Sequence, residues 1–169
     1  MISVYGNLTD NEVNIRKQES FERYNRLIQW GRKHPTRFIE KILGIQLLDY
    51  QRWIIMGTWT AEKAAWVCSR NAGKTFLGAV YLMAKAILFP QFKINIMNVS
   101  GRQSFDTFMK IEDIAKKNIA SLLNTTDVFF DELIKSNANT DGFIHSQKGY
   151  ECNLYNGSRI KALVGKPET

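Results

Sequence analysis

Only two cysteines, Cys68 and Cys152, occur in the 169-residue chain, and neither has another cysteine or a histidine at metal-ligand spacing. That excludes a disulfide framework and predicts reduced, metal-free thiols. The two histidines, His34 and His145, stand isolated, so both read as structural or surface groups. No apolar run approaches the roughly 18 residues needed to cross a bilayer. Met1-Ile2-Ser3-Val4-Tyr5 lacks the basic-then-apolar order of a signal peptide. The expected location is therefore a cytosol, without a membrane partner. Internal repeats, low-complexity tracts and long Gly/Ser linkers are missing as well, so periodicity and local breakers must reveal the organisation.

A composition of 44% hydrophobic, 12% aromatic and 23% charged residues is that of a globular chain able to bury a core. The formal charge of +7 and pI near 9.5 suit a phosphate-rich partner, because Lys and Arg gain by counterion release beside a polyanion. A solvated basic surface explains the same charge, so the motifs have to decide.

Phe21, Tyr24, Leu27 and Ile28 recur at helical spacing between Asp10 and about Lys33, which predicts an amphipathic helix ended near Pro35. A second helix is expected from Thr36 as its cap, through Phe38, Ile39, Ile42 and Leu43, to Gly44. A third is expected from Asp49 as its cap, through Gln51 and Ile54, toward Gly57 or Trp59. Residues 1–45 thus form a helical lead-in to residues 46–169. There, Ala64-Ala65-Trp66-Val67-Cys68 reads as a buried strand, and Thr75 to Phe89, apolar on nearly every side, as a packed helix stopped by Pro90. Lys93 to Val99 alternates as a second strand, which would complete a βαβ unit with a parallel sheet. Ser100 to about Leu123 returns to helical spacing. Tyr150–Tyr155 and Arg159–Val164 flank Asn156-Gly157, a strong hairpin signal. The expected fold class is α/β: a P-loop NTPase parallel sheet flanked by helices, with a β-hairpin near the C-terminus.

Between the first strand and the packed helix lies Cys68-Ser69-Arg70-Asn71-Ala72-Gly73-Lys74-Thr75. Its last three residues are those of a phosphate-binding loop. Gly73 permits a sharp turn, and successive N–H groups with the helix N-terminus can cradle phosphate. Lys74 can reach the β- and γ-phosphates, and the Thr75 hydroxyl can ligate Mg²⁺. Cys68 stands where the usual pattern has its first glycine. Arg70 within the loop either contacts phosphate oxygens bidentately or points to solvent.

With these residues the sequence resembles the ATPase domain of the large terminase subunits of tailed bacteriophages, which often dispense with the first glycine of the loop. Ser69-Arg70-Asn71-Ala72-Gly73-Lys74-Thr75 is similar to the family's loop, and Leu48-Asp49-Tyr50-Gln51-Arg52 to its adenine-recognition motif. Pro35 to Leu47 is similar to the lead-in, and Asn156-Gly157-Ser158-Arg159-Ile160 with Val164 to Thr169 to the hairpin and loop before the Walker B strand. The resemblance covers residues 35–169. It implies ATP and Mg²⁺ as cofactors, with nucleotide bound by Tyr50, Gln51, Ser69, Arg70, Asn71, Ala72, Gly73, Lys74 and Thr75. Lys74, Arg70 and Thr75 would serve catalysis, and Thr75 would hold the metal.

The function so implied is a motor that couples ATP hydrolysis to translocation of double-stranded DNA into a procapsid. It would work as an oligomeric ring with a portal protein and a small terminase subunit, in the host cytoplasm and transiently at the procapsid portal. The Walker B strand, its Asp and water-activating Glu, and the nuclease domain are expected beyond Thr169, making the domain incomplete and the chain alone inactive. Val128-Phe129-Phe130-Asp131-Glu132 mimics Walker B but reads as loop or helix. A helicase-like translocase and a non-catalytic nucleotide- or DNA-binding fragment are the alternatives.

Overall fold

The computed structural model describes residues 10–98, 101–119, 127–137, 139–147 and 149–164. Residues 1–9, 99–100, 120–126, 138, 148 and 165–169 lie outside these, and with them the ends expected at Val99, Ser100 and Leu123 and the expected loop of residues 165–169. Helices α1 (Asp10–Lys33) and α2 (Pro35–Lys41) follow one another with a single residue between them. The fixed φ of proline suits a first helical position, so α2 starts at Pro35 with His34 in the cap position, not at the expected Thr36.

Helix α3 (Asp49–Thr58) likewise begins one residue earlier than expected. Asp49 is already helical and pairs with Arg52 at 2.6 Å. The capping hydrogen bond comes from Gln51, whose Oε1 accepts from the backbone N–H of Leu48 at 3.0 Å. Helix α4 (Lys74–Leu88) buries Leu77, Val80, Met83, Ala84, Ile87 and Leu88, as its apolar circumference predicts. Helix α1 comes close to it at Gly31: a Cβ there would lie 2.5 Å from Leu88 Cδ2 and 2.8 Å from Phe38 Cδ2.

The chain is α/β, with a mixed four-stranded sheet of order β1-β4-β3-β2, formed by β1 (Lys93–Asn98), β2 (Phe143–Ser146), β3 (Gly149–Asn153) and β4 (Arg159–Val164). β1 and β4 pair in parallel, with Ile94 beside Ile160 and Ile96 beside Ala162; the other pairs are antiparallel. Helix α5 (Gly101–Ile119) lies on the apolar face of the sheet. Phe108 meets Phe143 edge-on at 6.0 Å, and Phe105 stacks on Tyr150 at 4.3 Å. Short helix α6 (Asp127–Asp131) packs against α5.

Three expectations need correction. Ala64–Cys68 forms no strand: the segment is unpaired, and Val67 is 97% exposed. A strand exists only by pairing, and among the described residues the edge of β1 away from β4 has no partner either. The parallel pair is therefore β1 with β4, and the expected parallel P-loop sheet is not formed among the described residues. The hairpin does form at Asn156-Gly157, but through the longer connection from Leu154 to Ser158. Asn156 is drawn onto α4, where its Nδ2 donates to Ala86 O (2.8 Å) and Ile87 O (3.1 Å).

Candidate nucleotide-binding site

The loop before α4 reverses in left-handed backbone at Asn71 (φ 62°) and again at Gly73 (φ 70°), the N-cap of α4. Asn tolerates that region better than most residues, and glycine adopts it without steric cost. Lys74 and Thr75 therefore start the helix, where backbone N–H groups have no partner inside the helix and the dipole favours an anion. Lys74 folds back across the loop, its Nζ donating to Cys68 O (3.0 Å) and Ser69 O (2.7 Å). The ammonium thus ties the start of α4 to the first residues of the loop. Ser69, Arg70, Lys74 and Thr75 are exposed, while Ala72 and Gly73 are half-buried.

Tyr50 and Gln51 are brought to this loop from α3. The Tyr50 hydroxyl donates to Ala72 O at 3.0 Å, and Gln51 Nε2 donates to the Tyr50 hydroxyl at 3.3 Å. A Cβ on Gly73 would sit 3.6 Å from Gln51 Nε2. Gln51 is only 5% exposed, and both ends of its amide are engaged within the protein. In this arrangement it braces the loop and keeps one N–H for any further partner.

A cleft of about 600 Å³ runs from Lys74 and Thr75 along α4 to the open edge of β1. Its far wall is α5, which contributes Gln103, Asp106 and Thr107. Sequence reasoning missed these residues, although their i, i+3, i+4 spacing is a polar stripe opposite Phe105 and Phe108. Magnesium usually binds nucleotide phosphates plus one or two protein oxygens. Thr75 and Asp106, lining one cleft, fit that requirement. No cluster of three or more His, Cys, Asp or Glu able to hold a metal exists among the described residues.

Glu132 has other employment and lines no part of this cleft. Burial raises its pKa against the opposing pull of a hydrogen bond with the Tyr24 hydroxyl, while neighbouring Asp131 raises it further. Asp127–Asp131 is helical and Glu132 lies in the turn that follows, so the segment is helix and turn, as its sequence reads. His145 is structural: its Nε2 lies 2.8 Å from Oε2 of Glu112, a buried carboxylate that also accepts from Lys116 Nζ at 2.5 Å. Burial pushes the Cys152 thiol up to about 12, which keeps it protonated. No helix among the described residues is long and apolar enough to cross a membrane.

No family model matches the chain, and no curated protein matches it.

Proposed function

We propose that the chain is a nucleotide-binding ATPase module, and that its wider role is that of a large terminase subunit: a motor that moves double-stranded DNA into a procapsid. The observation that carries the reading is the phosphate loop itself. A left-handed Gly73 caps α4 and Lys74 spans the loop's carbonyls, with the Tyr50–Gln51 pair braced beneath. Lys74 would exchange those carbonyls for the phosphates of ATP, Thr75 would offer its hydroxyl to Mg²⁺, which would supply charge neutralisation there, Arg70 would meet charge that develops in transfer, and Tyr50 and Gln51, outside the lining of the cleft, would serve the base.

The cleft is large enough for a ligand of nucleotide size. In this reading its open β1 edge also receives the strand that brings the water-activating carboxylate. Asp106 is the carboxylate already facing that cleft, and it assists the metal without replacing the general base. DNA, the portal protein and the small subunit are the partners of the complete motor, in the host cytoplasm.

Titration of this chain with a fluorescent ATP analogue and Mg²⁺ tests the reading. Lys74→Ala should weaken binding by about tenfold or more, the loss of one charge-assisted phosphate contact. Equal affinity in the wild type and Lys74→Ala would remove the phosphate loop from the argument.

A further inference from the structure

The C-terminal end of α4 carries a second concave site that the phosphate loop does not use. A pocket of about 690 Å³ lies where α1 and α4 end, lined among others by Arg32, Trp59, Glu62, Lys85, Phe89 and Phe92. Lys85 Nζ stands 4.4 Å from the Trp59 ring centroid and 4.8 Å from that of Phe89. The Arg32 guanidinium carbon stands 4.9 Å from the same Phe89 centroid.

Two cations thus share one ring, and their hydrogen bonds go to neutral carbonyls. Lys85 donates to Trp59 O and Arg32 Nε to Leu88 O, each at 2.6 Å. Neither forms an ion pair among the described residues, and Glu62, on the same wall, pairs with neither. Burial pulls the Lys85 pKa down, so an entering anion would relieve a real electrostatic cost. Among the described residues the two terminal nitrogens of Arg32 have no hydrogen-bond partner, which suits a bidentate contact. Phe92 is 42% exposed and tilted against Phe89 at 6.0 Å, which leaves a flat apolar surface at the pocket. An anion with a planar ring attached satisfies both features.

We propose that this pocket binds a nucleotide unit, its phosphate between Arg32 and Lys85 and its base on Phe92, either as a free nucleotide or as one residue of a single strand. The site is independent of the phosphate loop, being separated from it by the length of α4, fifteen residues or about 22 Å. Anisotropy of a labelled oligothymidylate of twelve residues, with AMP as competitor, tests it on the whole chain. Affinity should fall about tenfold in both Arg32→Gln and Phe92→Ala, in keeping with the loss of a charged contact or a stacked base, and should hold in Lys74→Ala. Phe92→Ala removes an exposed ring and keeps the test open should Arg32→Gln not fold. Full competition by AMP assigns the site to free nucleotide; tight oligonucleotide binding that AMP does not displace assigns it to a strand. Absence of wild-type binding to both probes overturns the proposal. So do unchanged affinity in the folded variants and a matching loss in Lys74→Ala, which would put the probe on the phosphate loop.

Discussion

The two ends of α4 solve opposite problems with the same helix. At its N-terminus Lys74 and Thr75 are exposed, the backbone N–H groups are unpartnered, and the loop is held chiefly by one hydroxyl and by its own lysine. At its C-terminus Ala86, Ile87 and Leu88 are fully or almost fully buried. The carbonyls there are taken by the side chains of Asn156 and Arg32. One end keeps its hydrogen-bonding capacity available for exchange, and the other has most of it committed. Stability and affinity at the phosphate loop should therefore separate along a single element.

Leu88→Ala breaks the comparison most severely. It empties a fully buried position beside Gly31 and should cost about 2–5 kcal/mol, read as a drop in the denaturation midpoint. A loss below 1 kcal/mol would mean that the C-terminal end is far less consolidated than its burial indicates. Gln51→Ala, at the other end, removes the acceptor that caps α3 and should cost about 1 kcal/mol. Because Gln51 also braces the loop through Tyr50, nucleotide affinity should fall with it; a stability loss with affinity intact would confine Gln51 to capping. Lys74→Ala sharpens the contrast, since its fold stability should stay within about 0.5 kcal/mol of the wild type while nucleotide binding drops.

The smallest effect concerns pH. Burial lowers the Lys85 pKa from 10.5, so between that lowered value and 10.5 the unfolded chain binds more protons than the folded one. Stability gains from this group as pH rises through the window, and the penalty is complete below it. Tyr81, packed beside Lys85 and raised from 10.0 chiefly by burial, works in the opposite direction above 10. The wild type and Lys85→Met therefore have to be compared in parallel denaturation series. Identical alkaline slopes would mean that Lys85 is solvated as freely as in the unfolded chain.

Periodicity made α4, β1 and α5 legible because each buries a continuous apolar stripe or an alternating face, and α1 only in part, since Ile28 is buried while Phe21 of the same expected stripe is exposed. It misread Ala64–Cys68, since β-propensity describes a side chain's fit to a sheet and supplies no neighbouring strand. The cap positions at Thr36 and Asp49 failed for a local reason: Pro35 and Gln51 outcompete them. Strand β2, only Phe143–Ser146, was too short to announce itself. That Tyr50 and Gln51 share a site with the loop was implied by family likeness alone, because chain separation carries no distance; the hydrogen bond from Tyr50 to Ala72 O was not foreseen. The Arg32–Lys85 pocket did leave a signal that went unread. Lys85 is the single charged residue between Thr75 and Phe89, and an ammonium in a helix buried almost all round must have a reason to be there.

Gly31 sets a different kind of limit. Because the approach of α1 to Leu88 and Phe38 is fixed by the absence of a single methyl group, even alanine there would act as a wedge. The same helix carries Phe21 at 65% exposure, a position free to drift. In a saturation library α1 should thus show contrasting tolerance, permissive at Phe21 and closed at one glycine near its end.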